Sequence, residues 1–285
     1  MSYKRLIVRL LDRPGGRFLL GKAATFYFRG HAGDHIEIVY RLGLWTRRIN
    51  SDFFPDSASF DYTFQDFNLW KQQMERNVAD TEEHWLYQYR PTIGDVVVDV
   101  GAGRGEDTIT FSRAVGKTGR VIAIEAHPVS FAILQNFCRL NGLTNVIPLH
   151  VAVMDKRGEA RIVESGSSWL ENSVAPVNGV SGTSVPSRTL DDICVEYGVE
   201  RISFLKMNIE GSERYALRGM REILPRVRQI CVACHDFRSD AGDGEGFRTR
   251  TFVQQCLETS GFTVRSRQGD ERDYVRDHVF GVRTA

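Results

Sequence analysis

An acidic residue followed by alternating glycines is the feature of this sequence that points most directly to ligand chemistry. The segment Val96–Gly105 reads VVVDVGAGRG, so an apolar run passes through Asp99 and three glycines follow at every second position. This pattern predicts a buried parallel strand, a tight turn and a helix N-terminus whose backbone N–H groups face an open crevice. Glycines have no Cβ, so a ligand can approach the backbone of the turn closely.

The residue after the third glycine argues against a dinucleotide ligand. A pyrophosphate-binding turn has glycine or alanine at the sixth position of its fingerprint, whereas this chain has Glu106. A carboxylate there would repel a pyrophosphate. We therefore expect a nucleoside without phosphates, of which S-adenosylmethionine (SAM) is the obvious example. A dehydrogenase with a nicotinamide cofactor is the disfavoured alternative.

A second acid stands at the tip of the next predicted strand. The run RVIAIE ends at Glu125, twenty residues after Gly105. That position suits a carboxylate that accepts hydrogen bonds from both hydroxyls of a ribose. Glycine-rich turns alone also occur in plain strand–helix connections, so it is the pairing with Glu125 that favours a nucleoside site.

Further strands alternate with helices, which predicts an α/β fold with a doubly wound, mostly parallel sheet of seven strands. These strands are expected at 145–153, 202–207, 230–234, 262–267 and 278–282, the last two as an edge hairpin. Ligands bind outside the carboxyl ends of such strands. The residues expected at those ends are Asp99, Glu125, Ala152, Asn208, Glu210, His235 and Asp236.

Residues 1–80 are predicted to form a mainly helical extension of a nucleoside-binding domain at 81–285. Residues 1–50 carry ten Lys and Arg against three acids, with apolar residues between them. A solvated helical face is the preferred interpretation, and membrane contact through residues 1–30 is the alternative. We expect a turn-rich link at 52–61, helices over 64–89 that cover the crevice, and a lid loop at 165–173.

Composition and residue spacing exclude several function classes. A formal net charge of +1 gives no general attraction to nucleic acid. The sequence has neither a bilayer-spanning apolar run nor a signal peptide, so a cytoplasmic location is expected. Cys231 and Cys234 fall on one predicted strand and point to opposite faces, which indicates buried thiols. Neither a metal-binding histidine pattern nor a Gly-x-Ser-x-Gly nucleophile motif occurs.

Five segments together resemble the FkbM family of SAM-dependent methyltransferases. They read VVVDVGAGRGEDT, AIEAHP, LNGLTNVIPLHVAVMD, SRTLDD and LKMNIEGSERYALRG, and the similarity covers roughly residues 82–236. The resemblance implies a class I, Rossmann-like methyltransferase fold and SAM as the cofactor. It also implies methyl transfer to a hydroxyl oxygen of a small molecule, such as a polyketide, a sugar or another secondary metabolite.

The resemblance also implies roles for individual residues. The glycines would border the methionine part of SAM, Glu125 would hold the ribose, and Ala126 and Ala152 would flank the adenine. The full set of expected cofactor residues is Asp99, Gly101, Ala102, Gly103, Gly105, Asp107, Thr108, Glu125, Ala126, Ala152 and Asn208. The residues expected at the methyl-transfer end are Lys206, Asn208, Glu210 and Glu213.

The chain departs from the family at Asn208, where the motif has aspartate. An amide cannot act as a base, so the base for a neutral hydroxyl is expected to be His235, with Glu210 or Asp236 as alternatives. Lys206 could instead form a structural ion pair with Glu210 or Glu213. Two further functions stay open: a carboxyl methyltransferase, which needs no base, and a catalytically silent SAM-binding protein.

Overall fold

The structure is a computed structural model that describes residues 3–32, 36–60, 80–163, 173–176 and 182–283. The chain forms two compact units. One unit combines residues 1–78 with 135–143, and the other combines residues 79–134 with 144–285. Every residue that the sequence analysis assigns to the nucleoside site belongs to the second unit.

The first unit contains two helices and an antiparallel sheet. Its elements are α1 (Tyr3–Leu11), α2 (Arg17–Ala32), β1 (Ile36–Arg41), β2 (Leu44–Ile49) and β3 (Asp52–Ser57). Leu20 and Phe28 of α2 pack against Ile38 and Trp45 of the sheet in a small apolar core. The alternation of buried and less buried residues along β1 is the period-2 pattern of a strand with one face on a core.

This sheet corrects the sequence prediction of a mainly helical extension with a turn-rich link at 52–61. The β1–β2 turn consists of Leu42 and Gly43, with φ angles of 51° and 82°, as in the primed turns that hairpins favour. A leucine rarely adopts a positive φ, so the usual sequence signal of the turn is missing. Of the helices predicted over 64–89, residues 64–79 lie outside the described residues, as do residues 165–172 of the predicted lid.

The second unit consists of eleven described strands and seven described helices. Its strands are β4 (Val96–Val100), β5 (Arg120–Glu125), β6 (Val146–His150), β7 (Ala152–Val153), β8 (Gly158–Val163), β9 (Ser173–Pro176), β10 (Thr183–Arg188), β11 (Ile202–Met207), β12 (Val227–Ala233), β13 (Thr263–Ser266) and β14 (His278–Val282). Its helices are α3 (Glu106–Val115), the beginning of α4 (Pro128–Leu140), α5 (Leu190–Glu196), α6 (Glu213–Arg218), α7 (Asp236–Asp240), α8 (Arg250–Thr259) and α9 (Asp273–Arg276). Residues 135–140 of α4 belong to the first unit.

The main sheet has seven strands in the order β13-β14-β12-β11-β4-β5-β6. The five strands from β12 to β6 are parallel, and β14 and β13 add antiparallel at one edge. The predicted doubly wound, mostly parallel sheet with a final hairpin is therefore confirmed. Its core is apolar, with Val98, Ile122, Leu205 and Val232 among the fully buried residues.

The strand predicted at 145–153 is divided in the structure. Val146–His150 stays in the main sheet, whereas Ala152–Val153 pairs with β10 in a second sheet of order β7-β10-β8-β9. The short strand-like pieces in the sequence after Arg157 form the rest of this second sheet. Within the ranges that the structure describes, we find no helix with the length and apolar character that a membrane span requires.

One glycine fixes the turn after β4 against the chain that leaves β11. Gly101 has a φ of 77°, and a Cβ on it would lie 1.9 Å from the carbonyl oxygen of Asn208. No side chain fits in that space, and only glycine adopts this conformation without strain. The carboxyl ends of the two central strands therefore meet closely at the place where a ligand is expected.

Candidate functional site

A buried lysine supports the glycine turn from below. Lys206 is 1% exposed, and its Nζ lies 3.0 Å from Asp99 Oδ1 and 3.8 Å from Asp107 Oδ2. The ammonium also donates a hydrogen bond of 2.7 Å to the carbonyl oxygen of Gly101. Burial alone would lower the pKa of Lys206, but the charges of Asp99 and Asp107 raise it, so the lysine stays charged.

The hydroxyls of two threonines complete this buried cluster. Thr108 donates to Asp99 Oδ2 at 2.7 Å, and Thr81 donates to Asp107 Oδ1 at 2.6 Å. The sequence analysis assigned Asp99, Asp107 and Thr108 to cofactor contact and offered Glu210 or Glu213 as the ion-pair partner of Lys206. The structure pairs Lys206 with Asp99 and Asp107 instead. Their carboxylates therefore hold the turn in place beneath the ligand site.

A cavity opens at the carboxyl ends of β4, β5 and β11 and encloses about 750 Å³, part of it open to solvent. The expected cofactor residues that line it are Gly101, Gly103, Glu125, Ala126, Ala152 and Asn208. Those that do not line it are Asp99, Ala102, Gly105, Asp107 and Thr108. We call this space the nucleoside cavity.

Glu125 lies at the wall of the nucleoside cavity with its carboxylate held in place. One oxygen accepts a hydrogen bond of 2.8 Å from the backbone N–H of Gly103, and the other accepts one of 2.7 Å from that of His127. Burial raises the pKa of Glu125 to about 7 despite these two hydrogen bonds. Each carboxylate oxygen keeps lone pairs for further donors, which fits the two hydroxyls of a ribose.

A second cavity adjoins the first, and we call it the acceptor cavity. It is lined by His84, Trp85, Asn208, Glu210, Ala233, His235, Phe237, Arg238, Ala241, Asp243, Tyr274 and His278. Asn208 and Glu210 line both cavities. The Oδ1 atom of Asn208 is buried without a hydrogen-bond partner among the described residues. A buried acceptor of this kind is available to a donor from a bound ligand or a water molecule.

His235 is held between two carboxylates. Its Nε2 lies 3.0 Å from Glu210 Oε1, and its Nδ1 lies 3.2 Å from Glu213 Oε1. Burial alone would lower the pKa of His235, but these two acids raise it to about 10. The imidazole is therefore charged at neutral pH and has no free nitrogen to accept a proton. This geometry disfavours the expectation that His235 titrates near neutrality as the base.

Glu210 shares its carboxylate between two cations. Oε1 faces His235, and Oε2 accepts a hydrogen bond of 2.9 Å from Arg238. Burial alone would raise the pKa of Glu210, but the hydrogen bonds and charges of His235 and Arg238 lower it. Glu210 also has a φ of 52°. This sparsely populated backbone conformation is costly for a residue with a Cβ, and such residues cluster at functional sites.

Asp236, the other alternative base, serves as a helix cap. Its Oδ2 accepts hydrogen bonds of 2.9 Å from the backbone N–H groups of Thr249 and Arg250, at the beginning of α8. A carboxylate in this position satisfies the unpaired N–H groups of a helix N-terminus. Asp236 is also absent from the lining of both cavities.

Sequence reasoning placed Trp85 in the segment 64–89 expected to cover the crevice, but it missed His278. The ring of His278 stacks on Trp85 at 4.7 Å, and its Nδ1 is buried without a hydrogen-bond partner among the described residues. Burial, with the nearby His84 and His235, lowers the pKa of His278 to about 3, so this histidine is neutral. These residues are far apart in the sequence, and only the edge strand β14 and the chain before β4 bring them together.

One group of potential metal ligands occurs among the described residues, formed by Asp80, Glu83 and His84 within 4.8 Å of one another. Arg272 donates a hydrogen bond to Glu83, and its Nη1 lies 3.4 Å from His84 Nε2. A guanidinium thus already neutralises the acid that would hold a cation. Cys231 and Cys234 are buried free thiols whose pKa values burial raises.

Comparison with known proteins decides the family. The model of the FkbM methyltransferase domain matches residues 99–271, which is more than half of the chain. The chain belongs to the FkbM methyltransferase family. It is a SAM-dependent methyltransferase, and the predicted cofactor and enzyme class are thereby confirmed.

The chain is similar to two characterised proteins and one solved structure at less than 30% identity. The 31-O-demethyl-FK506 methyltransferase FkbM of Streptomyces tacrolimicus is 28% identical over 61% of this chain and 75% of that protein. The 2-O-methyltransferase NoeI of Sinorhizobium fredii is 27% identical over 50% of this chain and 63% of that protein. A crystal structure of methyltransferase FkbM from Methylobacillus flagellatus has a TM-score of 0.47 at 19% identity, over 69% of this chain and 45% of that one.

The nucleoside cavity of this FkbM methyltransferase fits the cofactor. Glycines without a Cβ form one wall, the carboxylate of Glu125 offers acceptors for ribose hydroxyls, and the orphaned Oδ1 of Asn208 offers one at the other end. Bound SAM supplies an activated methyl group on its sulfonium. The chain's own residues then have to align an acceptor atom with that methyl group.

The buried charge of Lys206 can be tested by unfolding in urea. Lys206→Met should lower the free energy of unfolding by about 3–5 kcal/mol, because it leaves the Asp99 carboxylate buried without its partner. The exposed Lys117 provides the control, and Lys117→Met should change stability by less than about 0.5 kcal/mol. Adding Asp99→Asn to Lys206→Met should restore part of the loss. A double variant as unstable as the sum of the two singles would contradict the ion pair.

The protonation of His235 can be followed by NMR. Its ring signals, assigned with His235→Gln, should stay constant between pH 5.5 and 8.5 and titrate near pH 10. Because this pKa lies above the ordinary 6.5, protonated His235 stabilises the fold fully below pH 6.5, and that contribution is lost as the pH rises towards 10. Glu213→Gln should move the titration to lower pH. A His235 that titrates between pH 6 and 7 would disprove the arrangement.

Proposed function

We propose that this FkbM methyltransferase transfers the methyl group of SAM to a hydroxyl oxygen of a small molecule. The observation that carries the proposal is that Asn208 and Glu210 line both the nucleoside cavity and the acceptor cavity. An acceptor hydroxyl beside these two residues would lie next to the cofactor. One relative is named a 31-O-demethyl-FK506 methyltransferase and another a 2-O-methyltransferase. Both names support oxygen as the atom that receives the methyl group.

The charges around the acceptor cavity support a neutral acceptor over a carboxylate. Two cations, His235 and Arg238, face three carboxylates, those of Glu210, Glu213 and Asp243. Both cations form ion pairs with these acids. A carboxylate substrate would therefore meet more negative than positive charge within this group of described residues, which disfavours the carboxyl methyltransferase alternative.

In this proposal Glu210 receives the hydroxyl proton. Asn208 cannot take it, and His235 is already protonated. Glu210 is ionised at neutral pH because its pKa is lowered, and each of its oxygens keeps a second lone pair. Its low pKa makes it a weak base, so proton transfer would accompany the departure of the methyl group from sulfur. Asn208 Oδ1 would orient the acceptor or the cofactor.

The mixed lining of the acceptor cavity also favours a small polar molecule as the substrate. Its lining combines aromatic rings, such as Trp85 and Tyr274, with polar groups. A ribosomal RNA methyltransferase of Dinoroseobacter shibae is 25% identical over 45% of this chain. The near-neutral net charge still argues against a nucleic-acid substrate.

We also propose a cytoplasmic location, which the free thiols of Cys231 and Cys234 suit.

Incubation with SAM labelled in its methyl group tests the reaction class directly. A panel of polyols, phenols and hydroxylated macrolides should yield an alkali-stable methyl ether, identified by its O-methyl NMR signal. The same panel with carboxylic acids serves as the matched comparison. An alkali-labile methyl ester would support carboxyl methylation instead, and SAM binding without any product from the panel would support a silent binding protein.

The role of Glu125 predicts a pH-dependent affinity for the cofactor product, S-adenosylhomocysteine. Because the pKa of Glu125 is raised to about 7, its ionised form grows between pH 6 and 8, and this form accepts ribose hydroxyls best. In calorimetry, the ratio of wild-type to Glu125→Gln affinity should rise over this range. Glu125→Ala should lose at least about tenfold at pH 8. An unchanged affinity in Glu125→Ala would remove the residue from the site.

The proton-accepting role of Glu210 predicts a loss confined to turnover. Glu210→Gln should lower kcat by about 10²–10⁴-fold, the usual contribution of a general base. The affinity for S-adenosylhomocysteine should change by less than about threefold. Asp240→Asn, at an exposed acid on the surface, should leave kcat unaltered. Turnover by Glu210→Gln at the wild-type rate would assign the proton to another group.

A further inference from the structure

Seven of the thirteen large apolar residues that are exposed in the described part of the chain lie on the two helices of the first unit. In α1 the exposed residues are Leu6, Ile7 and Leu10, and in α2 they are Phe18, Leu19, Phe26 and Tyr27. Phe26 is 84% exposed and Phe18 is 71% exposed. We call these seven residues the apolar helix face. Clustered large apolar side chains at a surface are a common sign of a binding site.

These helices are not displaced from their core. The opposite side of α2 buries Leu20, Ala24 and Phe28 against the sheet of the first unit, and Val8 and Leu11 of α1 pack on the same core. In α2 the exposed residues recur at helical spacing, from Phe18 and Leu19 to Lys22 and on to Phe26 and Tyr27. The helix therefore has two apolar sides, and the side with Leu20, Ala24 and Phe28 forms the core that the structure describes.

Basic residues surround the apolar helix face. Arg9, Arg13, Lys22 and Arg29 are all exposed. Residues 1–50 have a net formal charge of +7, whereas the whole chain has +1. Asp12, the single acid among the first 33 residues, turns inward. Its oxygens accept hydrogen bonds of 3.0 Å from Trp45 Nε1, Arg17 Nε and the backbone N–H of Phe60.

We propose that the apolar helix face binds the surface of an anionic lipid bilayer. Helices that lie in a membrane interface combine Phe and Leu on one side with Lys and Arg at its border. The apolar side chains enter the boundary between headgroups and acyl chains, while the long basic side chains reach the lipid phosphates. This contact would hold the methyltransferase at a membrane surface without a membrane span.

Charge favours a lipid surface over the other possible occupants. A second copy of this chain would bring two basic faces together, and like charges at an interface are unfavourable. A nucleic acid would use the basic residues but would leave the aliphatic side chains exposed, since its outer surface is formed by phosphates and sugars. An anionic bilayer satisfies both the charged and the apolar components.

Co-sedimentation of the full chain with vesicles tests this proposal. Binding to vesicles of phosphatidylcholine with 30% phosphatidylglycerol should exceed binding to pure phosphatidylcholine by at least about tenfold. Sodium chloride at about 0.5 M should remove most of this preference, since salt screens the basic residues. The paired substitutions Phe18→Ser and Phe26→Ser should lower the partition coefficient at least tenfold, as should Arg13→Glu with Lys22→Glu.

Ile93→Ser with Val195→Ser provides the matched control, because these side chains are 79% and 83% exposed elsewhere on the chain. This control should bind vesicles like the wild type. All variants should keep the wild-type affinity for S-adenosylhomocysteine, which shows that the chain remains folded. Equal binding to both vesicle types, or no binding, would overturn the proposal. Self-association by light scattering that Phe18→Ser and Phe26→Ser abolish would assign the face to a second copy and also overturn it.

Discussion

The buried ammonium of Lys206 is the interaction on which the ligand site depends. It lies where the two central strands of the main sheet end, and it reaches the Asp99 carboxylate and the Gly101 carbonyl oxygen at once. A charge in this position is costly unless it is fully paired. The cost is offset because Asp99 is itself fixed by Thr108. The glycine turn, the first turn of α3 and the end of β11 are thus held as one rigid assembly.

This assembly determines where chemistry can occur. Asn208 follows Lys206 by two residues, and its carbonyl oxygen occupies the space that a Cβ on Gly101 would need. The turn that faces the cofactor and the residues that face the acceptor are consequently fixed relative to each other. Methyl transfer requires the acceptor oxygen, the methyl carbon and the sulfur in line, so a fixed spacing between the two cavities matters more than strong acid–base groups.

Local patterns in the sequence predicted most of the second unit. Apolar runs followed by a polar residue predicted the strands and the positions of Glu125 and Asn208 at their ends. Such positions are predictable because a parallel strand and its turn are encoded within about ten residues. The hairpin of the first unit was not predicted from the sequence because Leu42 occupies a turn position that usually has Gly or Asn. The protonation state of His235 and the residues around His278 were not predicted because they depend on contacts between residues distant in the chain.

The charges around Asn208 give a physical reason for an amide at the position where the resemblance to the family implies aspartate. Glu210, Glu213 and Asp243 already exceed the cations His235 and Arg238 by one charge. An aspartate at position 208 would add a further negative charge to the lining of the same cavity. The amide avoids that repulsion and keeps an oxygen that can accept a hydrogen bond. Because this oxygen is buried without a hydrogen-bond partner among the described residues, it is available to a donor from a bound molecule.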